Sequence, residues 1–78
     1  MTRGVERNVS EVELMIAIFR HSRGDWGNLC EEDKIANDDA LKHGFRLLSA
    51  YQTSKKKTFW IITEHDRSHT TILLPSEY

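Results

Sequence analysis

Three closely spaced apolar segments occupy the C-terminal third of the chain. They are FRLLSAYQT (45–53), TFWIITE (58–64) and TTILLP (70–75), and the short polar segments SKKK and HDRSH join them. Segments of this length, rich in β-branched and aromatic residues and separated by polar turns, are typical of antiparallel strands. The pattern predicts a three-stranded β-meander that ends at Pro75, because proline cannot donate to the ladder. Side chains alternate along a strand, so both sheet faces would be partly apolar.

The N-terminal half has helical periodicity instead. Ser10 and Glu13 match a capping box, and the apolar residues that follow recur at helical spacing, which predicts a helix from Ser10 to near Ser22. Its stripe is broader than one small sheet requires: Val12, Leu14, Met15, Ile16, Ala17, Ile18 and Phe19. A second helix is expected from Leu29 to His43, with Gly44 ending it. Residues 1–8 are polar and are expected to be frayed.

These elements predict an α+β fold, with two N-terminal helices followed by a three-stranded antiparallel β-meander. The 78 residues make a single small domain. The only cysteine, Cys30, excludes an intrachain disulfide, and no apolar run resembles a signal peptide or a membrane span. The sequence therefore predicts a soluble, cytoplasmic protein that does not bind membranes.

Catalytic chemistry has little support in the sequence. His65 and His69 share one turn and could supply two metal ligands, whereas a site needs three or four. No convergent nucleophile and base are visible around Cys30 or Ser68. We therefore expect no enzyme activity, no metal and no cofactor.

Charge is unevenly distributed although the net charge is −1. Residues 1–43 carry six Lys/Arg and nine Asp/Glu, whereas residues 44–78 carry five and three. An acidic helix face is usually just solvated, but it can also orient a basic partner. The residues that we expect to bind a protein partner combine this acidity with an aromatic anchor and an arginine fork: Asp25, Trp26, Glu31, Glu32, Asp33 and Arg67.

Each of these residues also has an interpretation without a partner. Trp26 lies in a glycine-flanked loop and would close the core between the helices as an aromatic plug. Asp66 and Ser68 would bond their own turn backbone and leave Arg67 without a functional role.

Two other functions remain open. Lys55, Lys56 and Lys57 form a basic hairpin tip near Tyr51, Phe59 and Trp60, and basic surfaces with aromatic residues can bind single-stranded nucleic acid. Lysines at a hairpin tip also serve as protection against aggregation. Alternatively, the apolar sheet face left uncovered by the helices could pack in a structural or regulatory homodimer.

The motifs Gly24–Gly27 (GDWG), Glu31–Asp33 (EED), Leu47–Tyr51 (LLSAY), Trp60–Glu64 (WIITE), Asp66–Ser68 (DRS) and Thr71–Pro75 (TILLP) occur together over residues 24–78. In this combination the chain resembles a family of short bacterial proteins carried on plasmids, phages and integrative elements, usually described only as plasmid-related. The N-terminal helix departs from that pattern. The family has no established activity, so the resemblance assigns no site residue.

What the resemblance implies is a biological setting, the accessory cargo of mobile genetic elements. Small proteins of that setting often act by binding and blocking a host component. Together with the absence of a catalytic motif, this leads us to expect a non-enzymatic protein-binding module that inhibits a host defence complex, of the anti-CRISPR or anti-restriction type.

Overall fold

The computed structural model describes residues 1–78 and places three helices before a three-stranded sheet. The helices are α1 (Arg3–Asn8), α2 (Glu11–Ser22) and α3 (Glu31–His43), and the strands are β1 (Leu47–Gln52), β2 (Thr58–Thr63) and β3 (Thr70–Leu73). A 3₁₀ turn at Pro75–Glu77 follows the sheet. The α+β class is confirmed, and the predicted order of two helices followed by the meander is roughly consistent with the structure, which adds the short helix α1 before the predicted pair.

Helix α1 forms where a frayed N-terminus was expected. Val5 of this helix is fully buried. The Thr2 hydroxyl caps the N-terminus of the helix by accepting a hydrogen bond from the Val5 amide. The Thr2 amide donates to the Ile72 carbonyl at 3.0 Å, on the outer edge of β3. The Glu77 carboxylate accepts from the Thr2 hydroxyl at 2.5 Å and from the Gly4 amide at 3.1 Å. Contacts more than 70 residues away in sequence therefore hold this segment in place.

The local signals for α2 and α3 are largely correct. The Ser10 hydroxyl accepts from the Glu13 amide at 3.2 Å, which is one half of the predicted capping box. The Glu13 carboxylate does not complete the box, because it accepts from the amide and hydroxyl of Ser54 at the first hairpin tip. Helix α3 begins two residues later than predicted, and Gly44 ends it with φ +75°.

The sheet has the predicted meander order β1-β2-β3, with both pairs antiparallel. One sheet face, called the inner face here, packs on α1 and α2. It consists of the following residues: Leu47, Ser49, Tyr51, Phe59, Ile61, Thr63, Thr70 and Ile72. Val5 of α1, Val9 directly after that helix and Ala17 of α2 join this face in the main core cluster.

The free edge of β1 is covered by the chain itself. The Asn37 side chain on α3 donates to the Leu48 carbonyl at 2.7 Å and accepts from the Leu48 amide at 3.0 Å. The Ala50 amide donates to the Trp26 carbonyl, and the Ala50 carbonyl accepts from the Asn28 amide. The helices thus gather on the inner face and at the β1 edge rather than on both sides of the sheet.

The opposite face of the sheet carries Leu48, Trp60 and Ile62. The Tyr78 ring stands edge-on to Trp60, with 5.8 Å between the ring centroids, and covers part of this face. No helix of the protein is both long enough and apolar enough to cross a membrane.

Candidate functional site

The most unusual surface of the protein is the outward side of α2. Val12, Met15, Ile16 and Phe19 lie along it at helical spacing, and their exposed fractions are 67%, 70%, 54% and 60%. We call these four residues the α2 apolar face. An apolar stripe on a helix normally packs against the core of its own domain. Here the four residues of the α2 apolar face are exposed to solvent.

The orientation of α2 reverses the usual arrangement. At about 100° per residue, the α2 apolar face and the residues Leu14, Ala17 and His21 point to opposite sides of the helix. Ala17 is buried and Leu14 packs against the core, so the side of α2 that carries Leu14, Ala17 and His21 faces the sheet. Periodicity identifies the apolar stripe of α2 and its excess width for one small sheet, but it does not indicate which side of the helix faces the core.

A hydrogen-bonded network fixes this orientation. His21 Nδ1 lies 2.5 Å from Ser49 Oγ, and His21 Nε2 lies 2.9 Å from Thr63 Oγ1. Thr63 Oγ1 in turn lies 3.1 Å from Thr70 Oγ1. Burial lowers the pKa of His21 from its ordinary value, so the neutral imidazole donates through one nitrogen and accepts through the other. The network ties the C-terminal turn of α2 to all three strands.

Ser49 and His21 have the composition of a nucleophile and its base, but their surroundings do not suit catalysis. Ser49 is 0% exposed, so a substrate does not reach its Oγ in this conformation. The second nitrogen of His21 meets a threonine hydroxyl rather than an orienting carboxylate. The pair is best explained as a polar anchor for α2, which sequence analysis missed because the partners are 28 residues apart.

An apolar groove of about 570 Å³ adjoins the α2 apolar face. It runs between α2, the loop before α3 and the end of α3, and its apolar lining consists of Ile18, Trp26, Leu41, Leu47, Ile61 and Ile72. Ile18 is 45% exposed and lies one turn from Met15, so the groove and the α2 apolar face form a continuous surface. Polar groups reach the same groove from His21 and Arg67.

Trp26 lies in the core, so its expected role as an exposed anchor for a partner is wrong for this conformation. It is 4% exposed, its Nε1 donates to Asp38 Oδ1 at 2.9 Å, and its ring stands edge-on to His21. The loop comes this close to β1 because Gly27 adopts φ +76° and packs against the Ala50 carbonyl, where no Cβ would fit. The aromatic-plug interpretation describes Trp26 correctly.

Asp25 and Arg67 are also occupied within the chain. Asp25 accepts two hydrogen bonds from Arg20, at 2.7 and 3.2 Å, and this pairing lowers the pKa of Asp25. The Arg67 guanidinium donates to the carbonyls of Phe45 at 2.7 Å, Glu64 at 3.1 Å and Ala40 at 3.4 Å. The Arg67 fork therefore closes the C-terminal end of α3 while the residue stays exposed, and its role toward a partner remains a prediction.

The turn around Arg67 follows the interpretation without a partner. The Ser68 amide and hydroxyl both donate to Asp66 Oδ1, at 3.0 and 2.6 Å. These two bonds lower the pKa of Asp66.

The predicted acidic residues remain at the surface. Glu31, Glu32 and Asp33 occupy the first turn of α3, are all exposed, and form no ion pair within 4 Å. They lie roughly 12 Å along the helix axis from the Ala40 carbonyl, to which Arg67 donates. Because Trp26 is buried, the six predicted residues do not form one fully exposed patch, and a partner role for the acidic turn stays a prediction.

The alternative nucleic-acid surface is only partly assembled. Lys55, Lys56 and Lys57 are exposed at the tip between β1 and β2, as expected. Tyr51 and Phe59, which were expected to stack on bases, are 2% and 1% exposed on the inner face. Trp60 lies on the opposite face beneath Tyr78. The lysines thus have no exposed aromatic platform beside them, which removes the stacking part of that hypothesis.

No three or more His, Cys, Asp and Glu side chains come together as a metal site. Comparison of the chain with protein-family models, with curated proteins and with solved structures finds no match.

Proposed function

We propose that this protein is a non-enzymatic protein-binding module that docks a partner through the α2 apolar face and the adjoining groove. The single observation that carries the proposal is the exposure of all four α2 residues, each by more than half. Contiguous apolar patches of several hundred Å² are uncommon on monomers and typically mark interaction sites. Burial of these side chains against a partner would remove the unfavourable contact between apolar surface and water.

The charges around the face favour a protein over other partners. Glu11 lies at the N-terminal end of α2 and Arg23 at its C-terminal end, and both are exposed. Helices that lie on membranes are usually rich in Lys and Arg on their polar side, whereas α2 carries both signs. An apolar centre with a mixed charged rim is the usual composition of a protein interface.

The finer function we propose is inhibition of a host defence complex, as expected for the cargo of a mobile element. In that case the α2 apolar face would cover a working surface of the complex, or hold it in one conformation. The acidic turn of α3 would then speed association with a basic effector. This part of the proposal rests on the resemblance described above.

Comparison of two matched variants tests the proposal. Phe19→Asp places a charge within the α2 apolar face, and Ile35→Asp introduces the same charge at an equally exposed residue on α3. Tagged wild-type protein and both variants are used to capture partners from bacterial lysate at high salt, and the captured protein is then purified and titrated against each. Binding lost only in Phe19→Asp supports the proposal.

Equal binding by Phe19→Asp and the wild type would remove the α2 apolar face from the account. Capture of nucleic acid at low salt only, lost when Lys55–Lys57 are replaced by Ser, would instead favour the nucleic-acid function, because phosphate contacts weaken steeply with salt.

A further inference from the structure

We infer that the partner seated on the α2 apolar face is a second copy of this chain, with the two α2 helices antiparallel across a two-fold axis. This inference rests on the coarser part of the proposed function, a protein-docking surface on α2, and takes a second copy rather than a host complex as its occupant. It is carried by the charge pattern of α2 and by the amount of surface that one copy leaves exposed.

The charges at the two ends of α2 are self-complementary. Acidic Glu11 and Glu13 lie in the first turn and basic Arg20 in the last, with Arg23 directly after it. In a two-fold contact each surface meets a second copy of itself, so an antiparallel pair brings each acidic end to a basic end. A parallel pair would bring like charges together, and its helix dipoles would also oppose it.

Glu11 and Arg23 are the members of this set that lie free for a second copy, since Glu13 bonds Ser54 and Arg20 bonds Asp25. The Arg23 guanidinium lies 5.3 Å from the centre of the Phe19 ring, at the border of the α2 apolar face. With the two-fold axis between Met15 and Ile16, Glu11 of one copy comes within about one helical turn of the Arg23 position of the other.

The same axis pairs the apolar residues without offset. Val12 of one copy faces Phe19 of the other, and Met15 faces Ile16. The smaller Val12 therefore meets the larger Phe19, and Met15 and Ile16 have similar volumes, which suits helix packing at an interaxial distance of about 8–10 Å. No rearrangement of α2 is needed, because its inward side is already fixed by the His21 network.

The exposed area agrees with one missing partner. The chain exposes 5449 Å² at a mass of 9.1 kDa, whereas the scaling for folded monomers gives about 4,900 Å². The α2 apolar face and Ile18 together account for roughly 600 Å² at their observed exposures. Two copies would bury about 1,000 Å² in total. This area reaches the lower range of specific interfaces and predicts a dimer of moderate affinity.

Sedimentation equilibrium of the purified full chain, from about 1 µM to about 500 µM, tests the inference. We expect a monomer–dimer equilibrium. Met15→Glu puts a carboxylate beside the two-fold axis and should weaken the dimer at least about thirtyfold. The matched control Ile35→Glu, at an exposed residue on α3, should leave the dissociation constant unchanged. Circular dichroism checks that both variants are folded.

A charge swap tests the antiparallel arrangement. Glu11→Arg and Arg23→Glu should each weaken the dimer about two- to fivefold at low salt, and the double variant should restore wild-type affinity. Restoration supports the arrangement, whereas additive weakening in the double variant would overturn it.

The outcomes separate this inference from the proposed function. A chain that stays monomeric at every concentration, or a dimer indifferent to Met15→Glu, overturns self-association. If a monomer nonetheless loses a captured partner, or binding to lipid vesicles, in Phe19→Asp, the α2 apolar face serves another protein or a membrane surface respectively. If neither dimer nor captured partner responds to either variant, both proposals fail.

Discussion

The contact between Gly27 and β1 yields a sharp test of the fold around the buried Trp26. In Gly27→Ala the new Cβ would lie 2.0 Å from the Ala50 carbonyl oxygen, so the loop must move outward. Gly44→Ala is the matched control, because Gly44 has nearly the same φ, +75° against +76°, and no atom within 4 Å of the added Cβ. The two variants share the strain of a left-handed backbone and differ only in the close approach.

The magnitude follows from the bonds at risk. A left-handed alanine costs about 1 kcal/mol, which is all that Gly44→Ala should lose. Outward movement at Gly27 also weakens the two backbone hydrogen bonds that join Trp26 and Asn28 to Ala50, at 3.1 and 2.7 Å. At about 1 kcal/mol each, these raise the total for Gly27→Ala to about 3 kcal/mol.

Thermal unfolding followed by circular dichroism measures the difference. For a domain of this size, 1 kcal/mol corresponds to about 4–8 °C in Tm, so Gly44→Ala should lose about that much and Gly27→Ala about three times as much. Equal losses in the two variants would refute the close approach of this loop to β1.

Three further predictions concern His21, Trp26 and Arg67. Because burial lowers the pKa of His21, the unfolded chain binds the proton more readily, so the free energy of unfolding should fall as pH drops below about 6.5. His21→Gln should flatten that slope in urea titrations, and an unchanged slope would contradict the assignment. Trp60→Phe leaves Trp26 as the one tryptophan, and Trp26→Phe leaves Trp60. Acrylamide should quench the fluorescence less in Trp60→Phe than in Trp26→Phe, since Trp26 is 4% exposed. Arg67→Ala should lower the free energy of unfolding by about 1–2 kcal/mol in urea titrations, because it removes the guanidinium hydrogen bonds to the carbonyls of Phe45, Glu64 and Ala40; no loss would mean that these bonds do not stabilise the fold.

Local sequence signals predicted the features that depend on neighbours in the chain. Ser10 caps α2 and Gly44 ends α3 because each acts on the backbone beside it. Alternation along the three strands likewise identified the two sheet faces. These features need no knowledge of the rest of the fold.

The features that sequence analysis missed depend on distant residues. Helix α1 forms because Thr2 and Gly4 meet Glu77, and nothing in the first eight residues indicates that contact. His21 was given no role, since its partners Ser49 and Thr63 become neighbours only when the strands pair.

The orientation of α2 is the most consequential feature that the sequence left undetermined. Periodicity shows that an apolar stripe exists, but it does not show whether the stripe covers the protein's own sheet or another molecule. The one available sign was the excess width of the stripe around Leu14, Ala17 and Ile18. A helix with apolar residues on both sides can pack one side inward and leave the other for a partner.

If another protein docks on the α2 apolar face, the methyl groups of that face change their surroundings, and methyl NMR detects this change residue by residue. Spectra of the chain are recorded over a dilution series and, where a captured partner has been purified, during its titration. The account predicts that the methyl resonances of Val12, Met15 and Ile16 shift together, while that of Ile35, exposed to a similar extent at 62%, stays in place. Shifts at Ile35 that equal those on α2, or no shifts on α2 in either series, would contradict the account.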